Sequence, residues 1–114
     1  MITLYGIKNC DTVKKAREWL TKNGVDYHFH DFRADGLQEE KVKAWIADIG
    51  LEPLINKRST TWKELDDYKK NALNEKNAVA LIVEYPTLIK RPLLETATQK
   101  YLGFKDADYA KLFI

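Results

Sequence analysis

The start of the chain changes from one hydrophobic period to another and back. The run "ITLY" is β-branched and aromatic and ends at Gly6, which predicts a short strand followed by a turn. Apolar residues at helical spacing (Val13, Ala16, Leu20) then continue from Thr12 to a stop signal at "NG". "VDYHFHDF" alternates apolar and polar positions, the period of a half-buried strand. We therefore expect a β-α-β opening.

The middle of the chain carries a helical pattern. One apolar stripe precedes a stop at Gly50 and indicates a helix (Val42, Trp45, Ile46, Ile49). "TWKE", beginning at Thr61, has the spacing of a capping box, which predicts a short helix through about Tyr68. "NEKNAVALIVEY" is compatible with a buried strand by its apolar run, but its helical spacing after an asparagine cap favours a helix.

The last part of the chain predicts a hairpin and a closing helix. "RPLLE" and "QKYLGF" are separated by a few turn-forming residues, as in an antiparallel hairpin, and "DADYAKLF" follows as a short helix. No repeat, low-complexity tract or linker divides the chain. We expect one α/β domain over 1–114, with a helical insert at about 37–85.

Composition and charge narrow the classes of function. The 114 residues are 45% hydrophobic and 32% charged, and 19 basic against 17 acidic residues give a net charge of +2. This even balance predicts no direct contact with nucleic acid. The longest apolar run, "AVALIV", is far shorter than the roughly 20 residues of a membrane span, and the N-terminus lacks the regions of a signal peptide. We expect a cytoplasmic protein without membrane contact.

Cys10 is the single cysteine of the chain and stands where the first strand gives way to the first helix. Unpaired N–H groups and the dipole at a helix N-terminus favour the thiolate, the reactive form of cysteine. The alternative is a buried, inert cysteine used as a small hydrophobe. The polar neighbours in "KNCD" favour the reactive interpretation. A lone cysteine fits a reducing compartment, and any disulfide chemistry needs a second thiol from another molecule.

Three separated motifs resemble the arsenate reductase and Spx family, closest to its small YffB-like branch. They are "TLYGIKNCDTVKKAREWL", "NKRSTTWKELD" and "YPTLIKRPLL", and "LGFKDADY" extends the similarity toward the C-terminus. The resemblance implies a thioredoxin-like α/β fold with a helical insertion. It also implies that Cys10 is the redox nucleophile.

The resemblance assigns roles to three further residues. It places Arg91 in a pocket facing Cys10 and makes Pro92 a cis proline, beside which an extended peptide such as glutathione would pair. Arg58 in "NKRS" resembles an arginine that follows the helical insert in Spx-like members. Together with Lys8, these arginines would bind the carboxylates of glutathione or an oxyanion. Each arginine is otherwise interpreted as a solvated surface charge or as a member of a structural ion pair.

Two departures from the family pattern bear on which of the family's activities this chain is expected to have. No arginine stands in "TQKYLGF", where arsenate reductases have a third pocket arginine, and Lys100 is the nearest cation there. Residue 13 is a valine, so the C-x-x-C switch of many Spx-type regulators is missing. We expect a glutathione-dependent thiol-disulfide reductase, a monomer with glutathione as co-substrate and no tightly bound cofactor or metal. The alternatives are an RNA polymerase-binding regulator of the Spx type and an arsenate reductase proper.

Two weaker candidates remain. His28 and His30 lie two residues apart on a predicted strand, and their spacing matches no zinc pattern, so a solvent-facing or hydrogen-bonded pair is favoured over metal ligands. Asp11 would either oppose thiolate formation at Cys10 or cap the first helix. We favour the cap.

Overall fold

A computed structural model describes residues 2–114 as four strands, eight helices and a 3-10 turn over Pro86–Leu88. The strands are β1 (Thr3–Gly6), β2 (His28–Asp31), β3 (Leu93–Glu95) and β4 (Lys100–Leu102). The helices are α1 (Asp11–Lys22), α2 (Phe32–Asp35), α3 (Glu39–Ile49), α4 (Leu51–Leu54), α5 (Thr60–Glu64), α6 (Asp67–Asn71), α7 (Glu75–Glu84) and α8 (Asp106–Phe113). Within residues 2–114, no helix has the length and apolar character needed to cross a bilayer.

The chain divides into two units. The first unit comprises the chain up to Asp35 together with Arg91–Ile114, and the second comprises Gly36–Lys90. The expected insert at about 37–85 falls within the second unit. That residues 1–114 form one domain stays a prediction.

The first unit contains the sheet, with strand order β2-β1-β3-β4. β1 and β2 are parallel, and the other two pairs are antiparallel. The predicted β-α-β opening and the C-terminal hairpin are therefore confirmed. β2 is shorter than expected, because the backbone N–H of Val25 donates to Leu20 O (2.9 Å) at the end of α1 and the strand starts only at His28.

The core of the first unit combines residues of the sheet, α1 and α8. Leu4 of β1 and its partner Leu94 of β3 are buried with Leu20 and Tyr109. Trp19 joins them, and its indole N–H donates to Asp106 Oδ1 at 3.0 Å. Both α1 and α8 therefore pack on the sheet. The residues that α1 contributes are three and four positions apart, the helical spacing that the sequence predicted.

The second unit consists mainly of helices. The stripe of α3 is buried at Val42, Trp45 and Ile46, as predicted. The "NEKNAVALIVEY" segment forms α7, and Asn74 caps it in a capping box with Asn77. The helical interpretation of that segment is confirmed.

The predicted capping box at Thr61 is wrong. Ser59 is the N-cap of α5, and its hydroxyl accepts from the backbone N–H of Trp62 at 3.1 Å. The Thr61 hydroxyl instead pairs with Thr87 at 2.6 Å, a contact far along the chain. The helix ends at Glu64, and α6 is a separate helix beginning at Asp67.

Two tyrosines in the first unit give a prediction about stability. Tyr109 is completely buried among aromatic rings, and its hydroxyl has no hydrogen-bond partner among residues 2–114. An unsatisfied buried hydroxyl is costly, so Tyr109→Phe is expected to raise the free energy of unfolding by about 1 kcal/mol. Urea denaturation measures this change.

Tyr101 is the matched control for Tyr109. Its hydroxyl donates to Asp108, and burial together with this carboxylate raises the pKa of Tyr101 to about 12. Tyr101→Phe removes a satisfied bond and leaves an acceptor behind, so the free energy of unfolding should fall by about 1 kcal/mol. Equal losses in the two phenylalanine variants would contradict the prediction.

Candidate active site around Cys10

Cys10 lies where β1 passes into α1. After β1 ends at Gly6, Ile7 is buried, Lys8 and Asn9 are exposed, and Cys10 is partly exposed. Cys10 is the N-cap of α1, with extended backbone angles (φ −137°, ψ 123°). Its carbonyl accepts the first helical hydrogen bond, from Lys14 N at 3.0 Å. The predicted position of the thiol at a helix N-terminus is thus observed.

A close approach between helix and strand positions this junction. A Cβ atom built on Gly6 would lie 2.7 Å from Val13 Cγ2, well inside ordinary contact. Val13 is completely buried. Because residue 6 is a glycine, the first turn of α1 can pack directly on the end of β1. This contact sets how far the Cys10 end of α1 lies from the sheet.

The cap position itself is unusual in its residue type. N-caps are commonly Ser, Thr, Asp or Asn, whose oxygen accepts from a backbone N–H of the first turn. Cys10 makes no such side-chain bond. The prediction that Asp11 caps the helix is wrong, because the cap is one residue earlier and Asp11 is the first helical residue. There its carboxylate still complements the helix dipole.

Arg91 and Pro92 lie at the sheet end from which the Cys10 loop leaves. Tyr5 pairs with Leu93, so the next residues along the two antiparallel strands are Gly6 and Pro92. The Arg91–Pro92 peptide bond is cis, as the resemblance implies. Pro92 is buried and Arg91 is half-buried. The Pro92 carbonyl, its single backbone acceptor, accepts from Gly103 N at 2.8 Å and so already serves the fold.

The other expected binding residues lie on exposed loops. Lys8 is exposed two residues before the thiol. Arg58 is exposed in the second unit, where its backbone N–H donates to Asn56 Oδ1 at 3.0 Å. The roles of Lys8, Arg58, Arg91 and Pro92 toward a substrate stay predictions.

The two histidines differ in their surroundings. His28 is exposed, while the ring of His30 packs 5.0 Å from the ring of Tyr5, its partner in the β1–β2 register. Phe32 completes this aromatic group, which the sequence pattern did not predict. Among residues 2–114, no three His, Cys, Asp or Glu side chains gather as metal ligands would.

The fold and the cysteine junction define a mixed α/β protein of thioredoxin-like architecture with one thiol at a strand-to-helix turn. The chain belongs to the ArsC family, whose family model matches residues 5–112. The resemblance seen in the three sequence motifs is therefore confirmed.

Relatives and solved structures agree with this membership. An uncharacterized protein of Haemophilus influenzae is 44% identical over 99% of each chain. The Global transcriptional regulator Spx 2 of Bacillus anthracis is 27% identical over 97% of this chain and 86% of the relative. The solved structure of a protein named YFFB matches with a TM-score of 0.92 and 42% identity over 97% of each chain. An arsenate reductase (ArsC) related protein from Brucella melitensis matches at 39% identity over 98% of this chain and 93% of its own, with a TM-score of 0.78.

Proposed function

We propose that the protein is a glutathione-dependent thiol-disulfide reductase in which Cys10 is the nucleophile. The observation that supports this most strongly is the position of Cys10 as the N-cap of α1, partly exposed beside the sheet end that carries Arg91 and Pro92. A partly exposed sulfur at this position is open to a disulfide substrate. The reaction needs a pool of reduced glutathione, which fits a lone cysteine in a reducing cytoplasm.

The proposed reaction has two exchange steps. The Cys10 thiolate attacks the glutathione sulfur of a mixed disulfide, a new disulfide to Cys10 forms, and the other thiol leaves as a thiolate. A glutathione thiolate then attacks the glutathione sulfur attached to Cys10, which releases Cys10 as a thiolate and glutathione disulfide. In each cycle one free glutathione thiolate is consumed and the substrate thiol is released, while the glutathione of the mixed disulfide becomes the other half of glutathione disulfide. Glutathione is a co-substrate and supplies the second thiol.

The cationic residues are proposed to bind the glutathione carboxylates. Among these cations Arg91 has the better position. It is half-buried, and its neighbour Pro92 lies across the sheet from Gly6. A guanidinium binds a carboxylate through two parallel hydrogen bonds. Lys8 would contribute a charge from the exposed loop before Cys10.

Turnover of a small mixed disulfide of glutathione tests the proposal. The protein is incubated with NADPH, glutathione and glutathione reductase, and NADPH oxidation reports the glutathione disulfide released. We expect turnover above the rate without the protein. A rate equal to that background would refute the proposal. Arsenate added in place of the disulfide distinguishes an arsenate reductase, which the missing third arginine disfavours.

A second candidate function follows from the Spx relatives. The similarity to a transcriptional regulator covers 97% of this chain, and resemblance to the Spx type implies docking on RNA polymerase. Val13 stands where a second cysteine would be needed for an intramolecular switch. Co-purification of polymerase with a Cys10→Ser variant would support docking independent of the thiol.

A further inference from the structure

A groove on the surface of the first unit runs beside α1, away from Cys10. Its volume is about 550 Å³. The lining residues are Lys14, Arg17, Glu18, Thr21 and Lys22 of α1, with Tyr27 from the segment before β2. We propose that this groove binds an acidic segment of the protein whose glutathionylated cysteine Cys10 reduces. The inference rests on the proposed function and extends it to a class of substrate.

The groove lies along the face of α1 that follows its N-cap, Cys10. Lys14, Arg17 and Thr21 follow Cys10 at the i+4, i+7 and i+11 positions, which share one face of an α-helix. The stripe extends about 16 Å along the helix axis. An extended chain with its cysteine at Cys10 would need only about five further residues to reach Thr21.

Arg17 is held in place by two aromatic side chains. Its Cζ atom lies 4.2 Å from the centroid of the Phe29 ring, and its Nε donates to the Tyr27 hydroxyl at 3.1 Å. Among residues 2–114, the two terminal nitrogens of Arg17 take part in no hydrogen bond or ion pair. A guanidinium oriented in this way loses little side-chain freedom on binding and matches the geometry of a carboxylate.

The charge of the groove favours a protein partner. Lys14 and Lys22 add two cations that form no ion pair within residues 2–114, against the single carboxylate of Glu18. Three cations suit a few carboxylates. A nucleic acid would need a longer basic surface, and the chain's net charge of +2 does not provide a strong general field.

The test uses short peptides with one central glutathionylated cysteine, flanked by glutamates in one peptide and by lysines in the other. In the coupled assay, the wild type should prefer the acidic peptide in kcat/KM by about tenfold at low salt, a size typical of a few exposed charge pairs. Lys14→Gln/Arg17→Gln should reduce this preference to about twofold or less. Fluorescence anisotropy of the acidic peptide gives an independent measure of binding.

A charge-matched variant controls for the general field of the protein. Lys15→Gln/Lys111→Gln removes two exposed lysines outside the groove and should keep the preference of the wild type. Equal kcat/KM values for the two peptides in the wild type, or equal losses in the two double variants, would overturn the proposal. Tighter binding of a single-stranded oligonucleotide than of the acidic peptide would also overturn it.

The outcomes separate this inference from the proposed function. Without turnover of the small mixed disulfide, the reductase proposal fails, and with it the role of the groove in presenting a substrate. Turnover of the small disulfide without a preference between the peptides would leave the reductase standing and refute the groove alone.

Discussion

Cys10→Ser is expected to abolish glutathione-dependent turnover and, at the same time, to stabilise the protein. A serine hydroxyl cannot form the mixed disulfide, so the rate should fall to that of the reaction without the protein. In the wild type, the Cys10 side chain at the N-cap of α1 makes no capping bond. Serine is among the preferred caps, and its oxygen can accept from a first-turn N–H at the extended backbone angles found here. The gain in unfolding free energy should be about 0.5–1 kcal/mol.

Cys10→Ala is the matched control for the serine variant. Alanine also lacks the thiol, but it offers no acceptor at the cap, so it should lose the same activity without gaining stability. Coupled turnover and urea denaturation of the three proteins measure both effects. Turnover that persists in both variants would rule out Cys10 as the nucleophile. Equal stability of the serine and alanine variants would contradict the capping argument.

These opposite effects suggest why a cysteine occupies a cap position. A residue kept for chemistry often departs from the local preference for stability. The departure is visible at Cys10 because the rest of α1 follows the rules for a helix, with an acidic residue in its first turn and a lysine in its last.

Local patterns predicted most elements of the fold. The α7 segment shows why, since Asn74 and the apolar spacing act within a few residues and outweighed the strand-like run "AVALIV". The error at Thr61 has the opposite cause. The cap is Ser59, two residues earlier, and Thr61 instead forms a hydrogen bond with Thr87, which no local pattern contains.

One part of the candidate site could be predicted from local sequence, and the rest depends on contacts between distant parts of the chain. The strand-to-helix junction at Cys10 was readable from "YGIKNCDT", because Gly6 and the following helical spacing mark it. The position of Arg91 and Pro92 depends on the register of β1 with β3. No local pattern in the sequence predicts that register, so these two residues could be assigned only through the family resemblance. The support of Arg17 by Tyr27 and Phe29 was missed, because their packing against the helix arises only in the folded chain.

Gly6→Ala is expected to lower the free energy of unfolding by about 1–3 kcal/mol and to reduce turnover. The new methyl would meet Val13 Cγ2 at 2.7 Å and Cγ1 at 3.3 Å, and overpacking of this kind forces side chains or backbone to shift. Val13 is β-branched and completely buried, so it has few alternative rotamers. Relief must come from movement of the first turn of α1, which directly follows Cys10. Urea denaturation and the coupled assay measure the two effects.

A double-mutant cycle with Val13→Ala distinguishes this contact from other effects of alanine at residue 6. Val13→Ala alone removes two buried carbons and should cost about 2 kcal/mol. In the double variant the new methyl occupies the space that Val13 vacates, so the two losses should combine to less than their sum by at least about 1 kcal/mol. Turnover should recover together with stability, because the same contact sets the position of Cys10. Strictly additive losses would mean that Gly6 matters for a reason other than the approach of α1 to β1.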